Sequence, residues 1–397
     1  MHYTGTEKFV LQTATMMQKF GNKVKVITYS FYEDSFYDRS MGNILLKEFS
    51  FKGIPVLAFK YKKAPLDLSY GIENKDLSKI ADELITKEKP DIVHVGHPMR
   101  VHELIRPLKT FGIPCVLTLT DFWLMCPKGI LTNSRNDLCG GPKGGAICRD
   151  FCPEFSEKFI INRLNVARDI IVNAKLIVSP SKFVASMFKK EFIESRIKVI
   201  NHGISYSKIK KNNKNYKKED KLIFCYAGSL NDHKGIHILI DAFKRIKSNN
   251  ATLKIFGSGS NPLYVNSLFD MAKEDKRIEF CGVYSEDQVG NIFSNVDVVI
   301  VPSLWYENYP LVLHEALAGN VPVIASNAGG MAEKIKDGIN GFSFPVGDVK
   351  ALKTIIGRII TTPEILNNLK ENIKGSSIPT IEQEAYAYHR IYKSMKQ

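Results

Sequence analysis

The chain reads as an α/β protein of two doubly wound, Rossmann-like domains, and three observations carry that reading. Short β-rich runs alternate with helix-period segments along the whole length. The chain has 397 residues, too many for one ordinary core. Finally, a basic stretch poor in apolar residues, 205–221, separates two sets of such runs.

The first set comprises Val24 to Tyr29, Ile54 to Phe59, Asp91 to Val95, Pro114 to Leu119 and Leu176 to Pro180. These predict a parallel sheet covered by helices in an N-terminal domain, 1–204. Lys208, Lys210, Lys211, Lys214, Lys217, Lys218 and Lys221 then stand among Asn and Tyr, which predicts a solvated linker. Leu222 to Ala227, Thr252 to Phe256, Ile278 to Phe280, Val296 to Val301 and Val321 to Ile324 are the strands expected of a C-terminal domain, 222–379. A last helix within 380–397 is expected to pack back on the N-terminal domain.

Composition narrows the function classes. Hydrophobic content of 44% indicates a globular chain. No run of about 18 apolar residues and no signal-peptide order occurs, so a cytoplasmic protein is expected, with peripheral contact at the inner membrane face as an addition. The net charge of +14 points to an anionic partner. Nucleic acid is not expected, since no helix-turn-helix, zinc-finger or RNA-binding signature is present. Lys182, Lys189 and Lys190 beside Phe183, Met187 and Phe192 suit an anionic bilayer or an ordinary amphipathic surface helix.

The segment Trp305-Tyr-Glu-Asn-Tyr-Pro-Leu-Val-Leu-His-Glu315 lies between two apolar runs. Pro310 suits a first helical position and Gly319 the residue past a helix end, so Glu307 falls in a loop and Glu315 on a helix. At the carboxyl end of a parallel sheet, both can face one ligand. Upstream, Ala227-Gly-Ser-Leu-Asn-Asp-His-Lys-Gly235 follows a strand and precedes a helical run. A diphosphate can meet a helix N-terminus there, with Lys234 adding a cation.

The pair of acids and the glycine-flanked lysine together resemble the E-x7-E motif and phosphate loop of the retaining glycosyltransferases of family 4, in the GT-B superfamily, and the resemblance extends over nearly the whole chain. It implies two Rossmann-like domains facing across a cleft and transfer of a sugar from a UDP- or GDP-sugar without other cofactors. Catalytic roles are implied for Lys234, Glu307 and Asp121. Gly228, Ser229, Gly257, Val283, Asn308, Tyr309, Pro310, Leu311 and Glu315 are implied to hold the donor. Ser229 stands where relatives often carry Arg, which removes one expected cation. No Asp-x-Asp element is present, and no metal is required by this mechanism. The glycines of Ala328-Gly-Gly-Met-Ala-Glu333 suit close approach to sugar or phosphate and suit a plain turn equally.

On the acceptor side the resemblance implies Gly5, Thr6, His97 and Thr120. Thr4-Gly-Thr-Glu7 resembles the loop that follows the family's first strand, for which no residues precede it here, so a start upstream of Met1 is expected. Thr118-Leu-Thr-Asp-Phe-Trp resembles a segment that often reads His-Asp-Tyr-Trp, with Thr120 in the usual His place. Asp121 reads as an acceptor-side carboxylate or as the cap of a turn. His94 and His97 suit either the site or structural hydrogen bonding.

Seven cysteines in a chain without a secretory signal argue for reduced thiols. Cys126, Cys139, Cys148 and Cys152 can hold a structural zinc, although the spacing lacks paired C-x2-C knuckles; free or redox-active thiols are the alternative. The expected activity is glycosyl transfer to a glycan or lipid-linked acceptor in cell-surface polysaccharide synthesis. A nucleotide-sugar 2-epimerase and a non-catalytic nucleotide-sugar binding module are the competing classes.

Overall fold

The computed structural model describes residues 5–193 and 195–396. Met1 and Thr4, on which the expectation of an upstream start rests, lie outside the described residues. The chain divides into two compact units, 1–202 with 381–397, and 203–380.

Unit 1 starts with helix α1 (Gly5–Lys19), which buries Phe9, Thr13, Ala14, Met16 and Met17. Strand β1 (Val26–Tyr29) leads to β2 (Arg39–Met41), β3 (Ile44–Phe51) and β4 (Ile54–Tyr61). These four form one sheet in the order β1-β4-β3-β2. Only β1 and β4 are parallel; β4 with β3 and β3 with β2 are antiparallel, which departs from the expected wholly parallel sheet. Turn chemistry is the reason. Lys52 and Gly53 both take positive φ, 49° and 80°, which suits the two-residue turn of a hairpin.

Helix α2 (Lys75–Glu88) is capped by Asn74, whose side chain accepts from the Asp76 and Leu77 amides. It buries Leu77, Ile80, Ala81, Leu84 and Ile85 at helical spacing. Strands β5 (Val93–Val95), β6 (Cys115–Thr118), β7 (Leu176–Ser179) and β8 (Ile197–Val199) form a second, wholly parallel sheet in sequence order. Between them lie α3 (His102–Ile105), α4 (Ala146–Phe151), α5 (Glu157–Asn173) and α6 (Lys182–Glu191). Both β1 and β5 pair on one side only, so the strands of this unit form two sheets and not one.

Unit 2 holds one six-stranded parallel sheet of β9 (Leu222–Ala227), β10 (Ala251–Phe256), β11 (Ile278–Gly282), β12 (Val298–Val301), β13 (Val323–Ser326) and β14 (Gly341–Phe344). The order β11-β10-β9-β12-β13-β14 is doubly wound and reverses direction between β9 and β12. Its helices are α7 (Ile236–Lys244), α8 (Pro262–Ala272), α9 (Val289–Ser294), α10 (Leu311–Ala318), α11 (Gly329–Lys334), α12 (Val349–Thr361) and α13 (Ile365–Lys374). The core is continuous from Phe224, Ile240 and Phe243 to Ile324, Leu352 and Ile356.

The stretch expected to be a solvated linker is mostly exposed, but two of its residues anchor it to the rest of unit 2. Asn212 and Tyr216 are buried. The Asn212 side-chain amide donates to the Val296 carbonyl at 2.7 Å, and Tyr216 Oη donates to Asp297 Oδ1 at 2.9 Å. The Asn and Tyr that looked solvating thus supply the groups that anchor the strap. Lys370 donates to Asn212 Oδ1 at 2.9 Å, and burial pushes its ammonium down to about 8.

The last helix, α14 (Ile381–Met395), belongs to unit 1 and packs on α1. Ala385, Tyr388 and Ile391 join Phe9, Met16 and Met17 in one core. A polar thread crosses it: Tyr388 Oη lies 2.9 Å from Thr118 Oγ1, His94 Nε2 2.8 Å from the same oxygen, and Tyr392 Oη 2.5 Å from His94 Nδ1. His94 is therefore a structural hydrogen-bonder, and burial pushes its imidazole down to about 3.

Candidate functional site

In unit 2 the site is built by loops at the carboxyl ends of adjacent strands. After β9 the chain makes a single 3-10 turn, Asp232–Lys234, and enters α7 through Gly235. Gly235 has φ 71°, and a Cβ there would meet the Pro302 carbonyl oxygen at 2.0 Å. Only glycine permits this approach, which sets the β9 loop directly against the β12 loop. Gly257 likewise, at φ 139°, leaves no room for a Cβ beside the Gly228 carbonyl.

Lys234 and Glu307, far apart in the sequence, meet here. Lys234 Nζ donates to Glu307 Oε1 at 2.7 Å. The same oxygen accepts from Ser303 Oγ at 2.7 Å and from Trp305 Nε1 at 2.9 Å. Glu307 is buried, and burial alone would raise its carboxyl; the Lys234 charge and these donors outweigh it and hold the group below the ordinary carboxylate value. An ionised acid and a cation are thus stored in a shielded position. The backbone beneath them is fixed by Gly330, whose amide donates to the Glu307 carbonyl at 2.6 Å.

Glu315 lies on α10 as expected, but Pro310 is the cap and the helix starts at Leu311, one residue later than the sequence suggested. Burial is the first cause, and the Glu315 carboxylate the second, that push the Tyr284 phenol upward, which places Glu315 near Tyr284. Tyr309 stacks on His314 with ring centroids 3.7 Å apart, and His314 Nδ1 lies 2.9 Å from the Pro310 carbonyl oxygen. Gly228 engages its amide with the Phe256 carbonyl at 3.0 Å, and Ser229 is exposed with its carbonyl accepting from Tyr226 Oη at 2.7 Å. Val283 is 65% exposed just past β11. Asn308 sits between Glu307 and the Tyr309 stack.

In unit 1, Gly5 and Thr6 open α1. His97 and Asp121, separate candidates in the sequence, form a pair. His97 Nε2 lies 2.7 Å from Asp121 Oδ2, and His97 Nδ1 accepts from the Met99 amide at 3.1 Å. The Trp123 amide donates to Asp121 Oδ1 at 2.8 Å, as the turn-capping reading of Asp121 expects. Thr120 Oγ1 donates to the Gly96 carbonyl at 2.9 Å, tying the two loops together. Beneath them Arg163 is buried over the Trp123 ring at 4.1 Å and donates to the Trp123 carbonyl.

The four cysteines of the zinc expectation gather in one place. Cys126, Cys139, Cys148 and Cys152 all line one cavity of about 10 Å³ and all are free thiols. Yet among the described residues no group of three or more His, Cys, Asp or Glu stands so as to hold a metal ion. Burial raises Cys126, Cys139 and Cys148, the last to about 12.

Sequence reasoning missed Ser303 and Trp305 as partners of Glu307, although a hydroxyl four residues and an indole N–H two residues before a loop acid were a usable signal. No helix among the described residues is long and apolar enough to cross a membrane.

Comparison with known proteins gives the family and the fold. The profile "Glycosyl transferases group 1" matches residues 207–376, and "Glycosyltransferase Family 4" matches residues 3–208. The lipopolysaccharide 1,2-N-acetylglucosaminetransferase of Salmonella typhimurium is 31% identical over 185 residues, 43% of this chain and 48% of that protein. The putative glycosyltransferase YtcC of Bacillus subtilis is 27% identical over 257 residues, 57% and 62% of the two chains. The chain thus matches about half to three-fifths of the length of these relatives. Among solved structures, sucrose-phosphate synthase of Thermosynechococcus elongatus superimposes with a TM-score of 0.71 at 18% identity, covering 99% of this chain and 94% of that one. Anabaena Alr3699/HepE, in complex with UDP and glucose, gives 0.69 at 20% identity, with 98% and 96% covered. These likenesses establish the GT-B fold. On the match over residues 3–208, more than half of its length, the chain belongs to glycosyltransferase family 4.

Proposed function

We propose that this protein moves a sugar, with retention of anomeric configuration, from a nucleotide-sugar donor to a glycan or lipid-linked acceptor in cell-surface polysaccharide synthesis. The observation that carries the reading is the Lys234–Glu307 pair, 2.7 Å apart at the start of α7. Breaking the anomeric C–O bond builds negative charge on the departing diphosphate. A cation already in place beside a helix N-terminus stabilises that charge with little rearrangement. Glu307, ionised and held still, receives hydroxyl hydrogens of the donor sugar, and Glu315 receives those of the ribose. Asp121, oriented by His97, is the acceptor-side carboxylate.

A UDP-sugar is the donor of first choice, supported by the UDP complexes of Alr3699/HepE, and a surface glycan the acceptor, supported by the Salmonella lipopolysaccharide enzyme. The diphosphate charge is met by protein groups, so the reaction proceeds without a divalent metal, at the inner membrane face where a lipid-linked acceptor is found. The test is a panel of UDP- and GDP-sugars screened for thermal stabilisation, followed by nucleotide diphosphate release with and without acceptor glycans. Acceptor-dependent release with an α-linked product from an α-linked donor supports the reading. Release without any acceptor, yielding an epimerised free sugar, or binding without turnover, refutes it.

A further inference from the structure

The Glu307 carboxylate takes all its side-chain hydrogen bonds from the described residues on a single oxygen. Lys234 Nζ, Ser303 Oγ and Trp305 Nε1 all donate to Oε1, and Oε2 receives none of them. Of these three donors, the ammonium and the hydroxyl end freely rotating groups; the indole N–H alone is fixed by a rigid ring. That ring also reaches the other loop. Its face lies 4.8 Å from Lys234 Nζ, and it meets the His233 ring edge-on with centroids 5.0 Å apart. The neighbouring Leu304 amide donates to the His233 carbonyl at 2.8 Å, which holds the two loops together along the backbone as well.

We infer that Trp305 is the positioning residue of the donor site, fixing Glu307 with Oε1 turned to the protein and Oε2 presented to a donor hydroxyl, and seating the Lys234 ammonium against both. This rests on the donor-site reading above. A carboxylate is free to turn about its last torsion, which is broad and two-fold. Three donors converging on one oxygen remove that freedom, and the stiffest of them decides which oxygen is offered. The indole face also holds the cation by its ring quadrupole, so Lys234 stays seated as its contact passes from Glu307 to an incoming diphosphate.

Trp305→Phe separates the two roles, because it keeps an aromatic face and edge while deleting the N–H. With the nucleotide sugar that the wild type turns over, kcat should fall about tenfold, the scale of one hydrogen bond to a charged group, with KM within about twofold. The acid limb of the kcat profile should move to higher pH, since the ionised form of Glu307 loses a donor. The other groups facing Glu307 are Lys234, His233 and Tyr226, all unchanged in this variant, so the movement reports the missing N–H. Trp305→Leu, which removes the ring as well, should lower kcat further. Wild-type kcat and pH profile in Trp305→Phe would overturn the assignment, as would a loss confined to KM with the acid limb in place. Should the wild type turn over no nucleotide sugar, the functional reading fails on its own. Positioning is then decided by carboxyl 13C NMR of glutamate-labelled protein: an upward movement of the Glu307 titration in Trp305→Phe sustains it, and coincident titrations overturn it.

Discussion

Replacing Lys234 by methionine tests the ion pair most directly, because it preserves the stem of the side chain and deletes only the charge. The two side chains are 22% and 10% exposed, so the pair is shielded and its loss is not cancelled by solvent. Breaking a buried pair on one side costs about 3–5 kcal/mol, and about 3 is expected here because Ser303 and Trp305 still donate to the acid. For a unit of this size that corresponds to a fall in melting temperature of about 9 °C at neutral pH. The pH dependence supplies the sharper signature. In the wild type the Glu307 carboxyl is held below its ordinary value of 4.5, so its contribution is complete above that pH and is lost only as pH falls through the lower folded value. Without Lys234 the two largest contributions that oppose burial are gone, and the folded value is expected to rise above the ordinary one. The variant then loses stability as pH rises through that raised value. The gap between the two melting curves should therefore be widest near pH 7 and narrow toward pH 4.5, read by differential scanning fluorimetry across that range. Turnover should drop about a hundredfold, the effect of losing one preorganised charge stabiliser. A pH-independent gap, or near-normal turnover in the folded variant, would refute the reasoning.

Glu315→Gln should weaken binding of the free nucleotide by about tenfold in calorimetry, since an amide offers one acceptor atom where the carboxylate offers two; unchanged affinity removes Glu315 from the ribose site. Asp121→Asn should lower transfer to acceptor by about tenfold or more while leaving donor affinity intact, because it breaks the charged partner of His97; weakened donor binding would place Asp121 elsewhere in the reaction. Gly235→Ala should destabilise the protein by more than about 2 kcal/mol, as the added Cβ would meet the Pro302 carbonyl oxygen at 2.0 Å, and a variant that melts like the wild type would contradict the loop contact. Activity should persist in excess chelator; loss reversed by Mg2+ or Mn2+ alone would reject the metal-independent step.

Much of the candidate site in unit 2 was legible from local pattern. Pro310, Gly319 and the flanking apolar runs announce a loop and then a helix, which puts Glu307 and Glu315 on different elements before any fold is known. Gly235 before a helical run marks the other loop in the same way. The antiparallel ribbon of β2 to β4 was less visible, since its turns depend on positive φ at Lys52 as well as at Gly53, and lysine carries no such signal. The anchoring of the strap at Asn212 and Tyr216 was missed for a related reason: a polar residue looks the same in sequence whether it meets water or the Val296 carbonyl.

By itself, then, the sequence determined the alternation of strands and helices, the order of the loops after β9 and β12 and their chemical groups, because those depend on spacing and residue type along the chain. The tertiary structure alone decided that Lys234 reaches Glu307, that Trp305 and Ser303 select one of its oxygens, that His97 belongs to Asp121 while His94 belongs to α14, and that four cysteines share a cavity. Each of these is a distance between groups brought together by the burial of other residues. A few ångströms separate an ion pair from two solvated charges, and spacing along the chain does not encode that interval.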